Sequence, residues 1–293
     1  MLRLTVSTDT VIRALTAASL AGLLLAVGLR LRAGQILESL RQCRFGLLLI
    51  ANFVVVPALC LVLTKLFRIG TECSVGMLLL AAAPFAPVVP VFARMARADL
   101  ALAAGLTSFF PFLSAFLTPL VCAVTLRAVP NAGDLRFNVA TVLLTLLATI
   151  TLPLGLGVAI NHLAPAFARR VLRPVEVASE ATGATSLAFV TVTEFGSILQ
   201  TGWVPLLAMV LGSELSLWLG YVLGGQSVGA RRVVALGTSN RNIALGLLVA
   251  LGSFAGTPVV PALVANGLLL ILLGLLHVAF WRFVQDRNRP QPS

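Results

Sequence analysis

One lysine, one tyrosine, two histidines and ten acidic residues are all that a chain of 293 residues holds of these types. His162 and His277 stand alone, with no acid or cysteine at ligand spacing, and Cys43, Cys60, Cys73 and Cys122 show no metal-ligand pattern. Neither a metal nor another cofactor is expected. Nucleophile elbows, phosphate loops and His-Glu-x-x-His motifs are also missing, and no acid, histidine and nucleophile share one depth, so an enzyme is not expected either. No extended polar segment could form a separate soluble domain.

What fills the chain is apolar: 59% hydrophobic residues against 11% charged, with a mean hydropathy of +1.02. A helix that crosses a bilayer needs about 20 mostly apolar residues. The sequence offers about nine such runs, at 10–29, 45–67, 73–93, 99–126, 137–161, 177–200, 202–224, 231–253 and 257–284. The expectation is an all-α polytopic membrane protein. The run from Ala14 to Gly28 meets Arg30 and Arg32 without a convincing cleavage site, and reads as a retained anchor.

The net charge of +11 comes from arginines in short loops, so it is read as topology and not as nucleic-acid binding. One set of alternate loops carries Arg30, Arg32, Arg41 and Arg44, then Arg94 and Arg97, Arg169, Arg170 and Arg173, Arg231 and Arg232, and Arg282, Arg287 and Arg289. The other set carries only Arg3, Lys65, Arg68, Arg127 and Arg136. The positive-inside rule then puts the N-terminus outside and the C-terminus in the cytoplasm. The preference for Arg over Lys, with abundant Ala and Leu, fits a GC-rich bacterial source and an inner membrane.

Two runs are interrupted at their middles. Pro84-Phe85-Ala86-Pro87-Val88-Val89-Pro90 spaces three prolines three apart, and each removes a donor and clashes with the preceding turn, so a continuous helix is not expected. Gly237-Thr238-Ser239-Asn240-Arg241-Asn242 puts amides and a cation near the bilayer midplane. An arginine there costs roughly 2.5 to 3.5 kcal/mol on insertion scales, so it should face protein or water. The interruptions lie about 150 residues apart. Spans one to four and six to nine can be laid over each other with opposite orientation, and inverted repeats with paired broken helices mark secondary transporters. The expected organisation is a first repeat over 1–136, broken at 84–90; a linking span and basic amphipathic connector at the lipid surface over 137–176; and a second repeat over 177–293, broken at 237–242.

Arg241 is the leading site residue, because its planar fork suits a carboxylate, sulfonate or phosphate; its other reading is a structural pair with a buried acid. Glu194 and Glu214 are the acids for such a pair, or for carrying a proton. Thr238, Ser239, Asn240 and Asn242 either satisfy the unwound backbone or grip a substrate, with Pro87 opposite them in the first break. Thr107 and Ser108 lie close to the crossing, or simply bond back to their own helix. Asp99 reads as a helix N-cap, and Gly220 with Gly224 as a site of close helix packing.

At these residues the chain resembles the bile acid/sodium symporter family and its wider superfamily, over nearly its whole length. The resemblance is carried by Gly28-Leu29-Arg30-Leu31, Leu78-Leu79-Leu80-Ala81-Ala82-Ala83-Pro84, Ala98-Asp99-Leu100-Ala101-Leu102, Leu117-Thr118-Pro119-Leu120 and Asn242-Ile243-Ala244-Leu245. It implies nine or ten helices in panel and core domains. It also implies sodium ligands at positions that here hold Gly237, Arg241, Val89, Pro90 and Ala103, with Thr107 alone retained. Sodium coupling is therefore expected to be absent, with the charge of Arg241 standing where a cation would.

The function expected is alternating-access transport of a small organic anion, by a monomer or homodimer whose other partner is membrane lipid. The alternatives are sodium-coupled anion symport through backbone carbonyl ligands, and a non-transporting receptor on the same fold.

Overall fold

The computed structural model describes residues 7–31, 44–130 and 137–287, all of whose regular structure is helical. In chain order the helices are α1 (Thr8–Arg30), α2 (Phe45–Leu66), α3 (Thr71–Ala81), α4 (Val89–Met95), α5 (Leu100–Leu126) and α6 (Val139–Leu163). They continue with α7 (Pro165–Thr193), α8 (Phe195–Leu199), α9 (Trp203–Leu223), α10 (Val228–Ser239), α11 (Ile243–Ser253) and α12 (Val259–Arg287).

Seven helical stretches among the described residues are long and apolar enough to cross a membrane: α1, α2, α5, α6, α9, the pair α10–α11 and α12. The other two of the nine expected spans fall short for different reasons. The stretch 73–93 is divided, into α3 of 11 residues and α4 of 7. The stretch 177–200 is shared between α7, which ends at Thr193, and the short α8; α7 is long enough but carries Glu176 and Glu180 as well as Arg169, Arg170 and Arg173.

Helix starts follow the local chemistry. Asp99 caps α5, its carboxylate accepting from the Leu102 amide at 2.9 Å, and Ser7, Asn138, Ser227 and Asn242 cap α1, α6, α10 and α11 in the same way. Pro90 stands in the first turn of α4, where its missing N–H has no helical partner to lose. The expected boundary at 176 is not a helix end, since α7 runs unbroken from Pro165 through Pro174 to Thr193. The basic residues Arg169 and Arg170 are exposed on its first turns, and Glu176 pairs with Arg30 of α1 at 2.9 Å.

Two sets of helices pack internally. α1 lies against both α6 and α7, while α2–α5 and α9–α12 form the larger body. Within the first set, α1 and α6 meet glycine to glycine: a Cβ on Gly157 would sit 2.9 Å from the Gly28 Cα, closer than side chains tolerate. Gly157→Leu is accordingly expected to lower the apparent melting temperature in detergent by roughly 2–10 °C, since overpacking costs about 1–3 kcal/mol; an unchanged melting curve would remove this contact from the account. In the larger body, Gly220 and Gly224 of α9 admit the backbone of α10 at the same kind of range. Their spacing marks close packing between neighbouring helices of one chain.

The breaks in α3–α4 and α10–α11 cross each other and exchange backbone hydrogen bonds. Phe85 N donates to Gly237 O at 3.2 Å, Ala86 N to Asn240 O at 3.1 Å, and Asn242 N to Ala83 O at 2.8 Å. In a membrane interior no water is at hand for freed backbone groups, so non-helical segments persist only where protein satisfies them.

Candidate functional site

Three successive carbonyls leave the end of α3 without helical partners, and each is taken by a donor from another element. Ala83 O accepts from the Asn242 amide, Ala82 O from Thr118 Oγ1 at 2.7 Å, and Ala81 O from Arg241 Nη1 at 3.2 Å. Alanines let the donors approach. The guanidinium of Arg241 thus sits at a helix C-terminus, the end where a positive charge is favoured. It also reaches Asn52 O at 3.5 Å, in the π-helical turn Ala51–Val55 of α2. Arg241 is 4% exposed, and its Nη2 has no hydrogen-bond partner.

No carboxylate answers this charge among the described residues. Glu214 pairs instead with His277 at 3.2 Å between α9 and α12, and Glu194 stands at the junction of α7 and α8. Arg232 serves the other half of the first broken helix as Arg241 serves α3. Buried at the start of α10, it donates to Ala96 O at the end of α4 at 3.1 Å and lies over the Trp281 ring at 5.4 Å.

The remaining candidates divide. Thr107 and Ser108 bond back to Ala103 O and Ala104 O, at 2.7 and 2.6 Å, which is the local reading of these residues. Thr238 Oγ1 accepts from Asn52 Nδ2 at 3.3 Å, and Ser239 Oγ accepts from Asn240 Nδ2 at 3.3 Å. Asn242 uses Oδ1 to cap α11 and leaves Nδ2 without a partner. Val89 and Pro90 start α4 with no ligand atom on their side chains, and Ala103 is buried in α5.

A crevice of about 410 Å³ opens between the two helix sets. Its larger wall includes Pro87, Asn240, Arg241 and Asn242 from the two breaks, whereas Thr238, Ser239, Thr107 and Ser108 do not reach it. The opposite wall is made by Thr16 and Ser19 of α1 and by Glu180 and Ser186 of α7. Thr16 and Ser186 hydrogen-bond each other at 2.7 Å, and Ser19 donates to Ser179 O at 2.8 Å. Most of the rest is apolar, with Leu23, Phe92, Leu187, Leu247 and Ile271.

Three site residues escape a reading by span. Asn52 and Asn266 are single amides within apolar helices, a signal the sequence does carry. Glu180 is hidden by the placement of a span edge at 177: because α7 begins at Pro165, Glu180 lies mid-helix and exposed on the crevice wall. An acid at that depth belongs beside water or a ligand. Glu180→Gln is expected to tighten the binding of an anion in the crevice by about threefold or more, because a like charge leaves the wall; weaker binding in the variant would place the anion elsewhere.

The family model for the sodium bile acid symporter family matches residues 17–193, more than half of the chain. The chain belongs to that family. Members are membrane transporters, which agrees with the apolar helices, and the protein is a multi-pass membrane protein. No curated protein matches it significantly. The family match runs from α1 to the end of α7 and stops before the second break. It thus includes Val89, Pro90 and Ala103 but not Gly237 or Arg241. At Gly237 the space a side chain would need is filled by the Phe85 ring, which also stacks on Phe110 with ring centroids 4.0 Å apart.

Proposed function

We propose that this family member is a secondary transporter of a small organic anion, working by alternating access and without sodium. The observation that carries the reading is the guanidinium of Arg241 on the carbonyls of Ala81 and Asn52. Oxygens gathered at a helix C-terminus favour a cation, and here the cation is covalently attached. α1, α6 and α7 form the panel and the remaining long helices the core, so the crevice between them is where a substrate is held. The broken helices α3–α4 and α10–α11, with α7 counted as a span, support nine crossings. They also support inverted repeats over 1–136 and 177–293, joined by 137–176. The arginine-rich loops support a cytoplasmic C-terminus.

An anion is favoured by the positive end of α11, the unpartnered Nδ2 of Asn242 and the nearby charge of Arg241. The apolar lining favours a substrate with a hydrocarbon body. Counterflow tests transport itself: proteoliposomes loaded with unlabelled anion should accumulate the labelled one transiently. Binding without counterflow would instead indicate a receptor. Replacement of sodium by potassium is expected to leave the counterflow rate within about twofold, whereas a steep dependence on sodium would defeat the sodium-free reading. An ion that binds one state only shifts the equilibrium through its own binding free energy.

A further inference from the structure

Behind the crevice, Arg241 also walls a second and much smaller chamber of about 20 Å³ between α2, α3, α9 and α12. We infer that this chamber binds a single halide ion, chloride in the cell, as the counter-ion of Arg241.

Three polar side chains line the chamber: Arg241, whose buried Nη2 has no acceptor, and Asn266 and Ser213, which are 4% and 6% exposed. All three can donate, and one carries a fixed positive charge. Buried charges are compensated by a partner, and buried polar groups are hydrogen-bonded. Among the described residues no acid supplies that partner, and the inference places it in solution.

Volume and chemistry together select the ion. A site needs about 10–15 Å³ of this kind of space for one particle the size of water, so the chamber holds a single small particle and excludes an organic carboxylate. The other polar wall groups are already committed: Ser216 Oγ donates to Gly212 O at 2.5 Å and Ser239 Oγ to Leu236 O at 3.4 Å. Val56, Met77, Leu80 and Leu270 close the remainder, which suits a weakly hydrated halide better than a strongly hydrated ion such as fluoride. A neutral water would satisfy the donors but leave the charge of Arg241 unbalanced.

The halide site shares Arg241 with the transport reading, but Asn266 and Ser213 line the chamber and not the crevice and so separate the two, and the experiment needs no organic substrate. Purified protein in gluconate salts is titrated with radioactive chloride in a scintillation proximity assay, with gel filtration to verify folding. The expected result is saturable binding of one ion per chain, displaced by bromide and not by gluconate. Binding should be lost in Arg241→Gln and weakened about tenfold or more in Asn266→Leu and Ser213→Ala. Absence of saturable chloride binding to folded wild-type protein overturns the inference and leaves a water in the chamber. Equal binding by folded Arg241→Gln overturns it as well. Should that variant not fold, unchanged binding in both Asn266→Leu and Ser213→Ala does the same. Absence of chloride binding, or unchanged binding in Asn266→Leu and Ser213→Ala, leaves the transport reading standing, which counterflow decides.

Discussion

Arg241→Gln is expected to stay folded, to melt no lower than wild type, and to lose affinity for the transported anion by about 10- to 150-fold. The first two effects follow from burial. A guanidinium held among apolar helices without a carboxylate bears a desolvation cost that the neutral amide avoids, and its removal leaves no buried side-chain charge of opposite sign behind. The glutamine amide still has donors for Ala81 O, so the end of α3 keeps a partner. The loss of affinity is the size of one charge-assisted hydrogen bond, about 1.5–3 kcal/mol. Melting curves by intrinsic fluorescence and isothermal titration with the tightest-binding carboxylate or sulfonate measure the two effects separately. A variant that unfolds, or one that binds the anion as wild type does, contradicts the assignment in different ways.

Gly237→Ala is expected to lower stability although it adds only one methyl group. The added Cβ would run into the ring of Phe85, and that ring cannot retreat easily: it stacks on Phe110, and its backbone is held at φ +58°. Positive φ is strained for a bulky residue, and the hydrogen bond from Phe85 N to Gly237 O holds it there. The crossing must therefore open or the ring must leave its stack. Overpacking of about 1–3 kcal/mol corresponds to a fall of roughly 2–10 °C in the apparent melting temperature. Phe85→Ala in the same background removes the obstacle and should recover part of the loss; absence of any recovery would show that the ring is not the cause.

The two breaks were the most legible part of the molecule, because prolines at three-residue spacing and an amide-rich insert cannot be read as ordinary membrane helix. The cap at Asp99 and the close packing at Gly220 and Gly224 were legible for the same reason, each being a local rule with few competitors. Meeting of the breaks was inferred from symmetry. The structure adds why they are stable together: the carbonyls of Ala81, Ala82 and Ala83 each find a donor on another element.

Other features depend on where chains pass in space. Arg241 has a long side chain, and in the core it meets Ala81 O and, at longer range, Asn52 O in a π-helical turn that no residue pattern announced. Glu180 was missed because α7 passes through Pro174 without ending, whereas the connector was expected to end at 176. Glu214 was read as a counter-charge for Arg241, but His277 lies one helix away and takes it. Thr107 and Ser108 had two readings, a place at the crossing or a bond back to their own helix, and helix order alone does not choose between them; their hydroxyls turn back to α5.

The central claim is that a tethered guanidinium stands in for a coupling cation in an anion carrier. A thermal-shift screen of carboxylates and sulfonates, run on wild type and Arg241→Gln in sodium and in potassium, tests it most directly. The account predicts anions that raise the melting temperature of wild type equally in both cations and do not raise that of Arg241→Gln. Stabilisation that needs sodium, or that persists undiminished in Arg241→Gln, would contradict it.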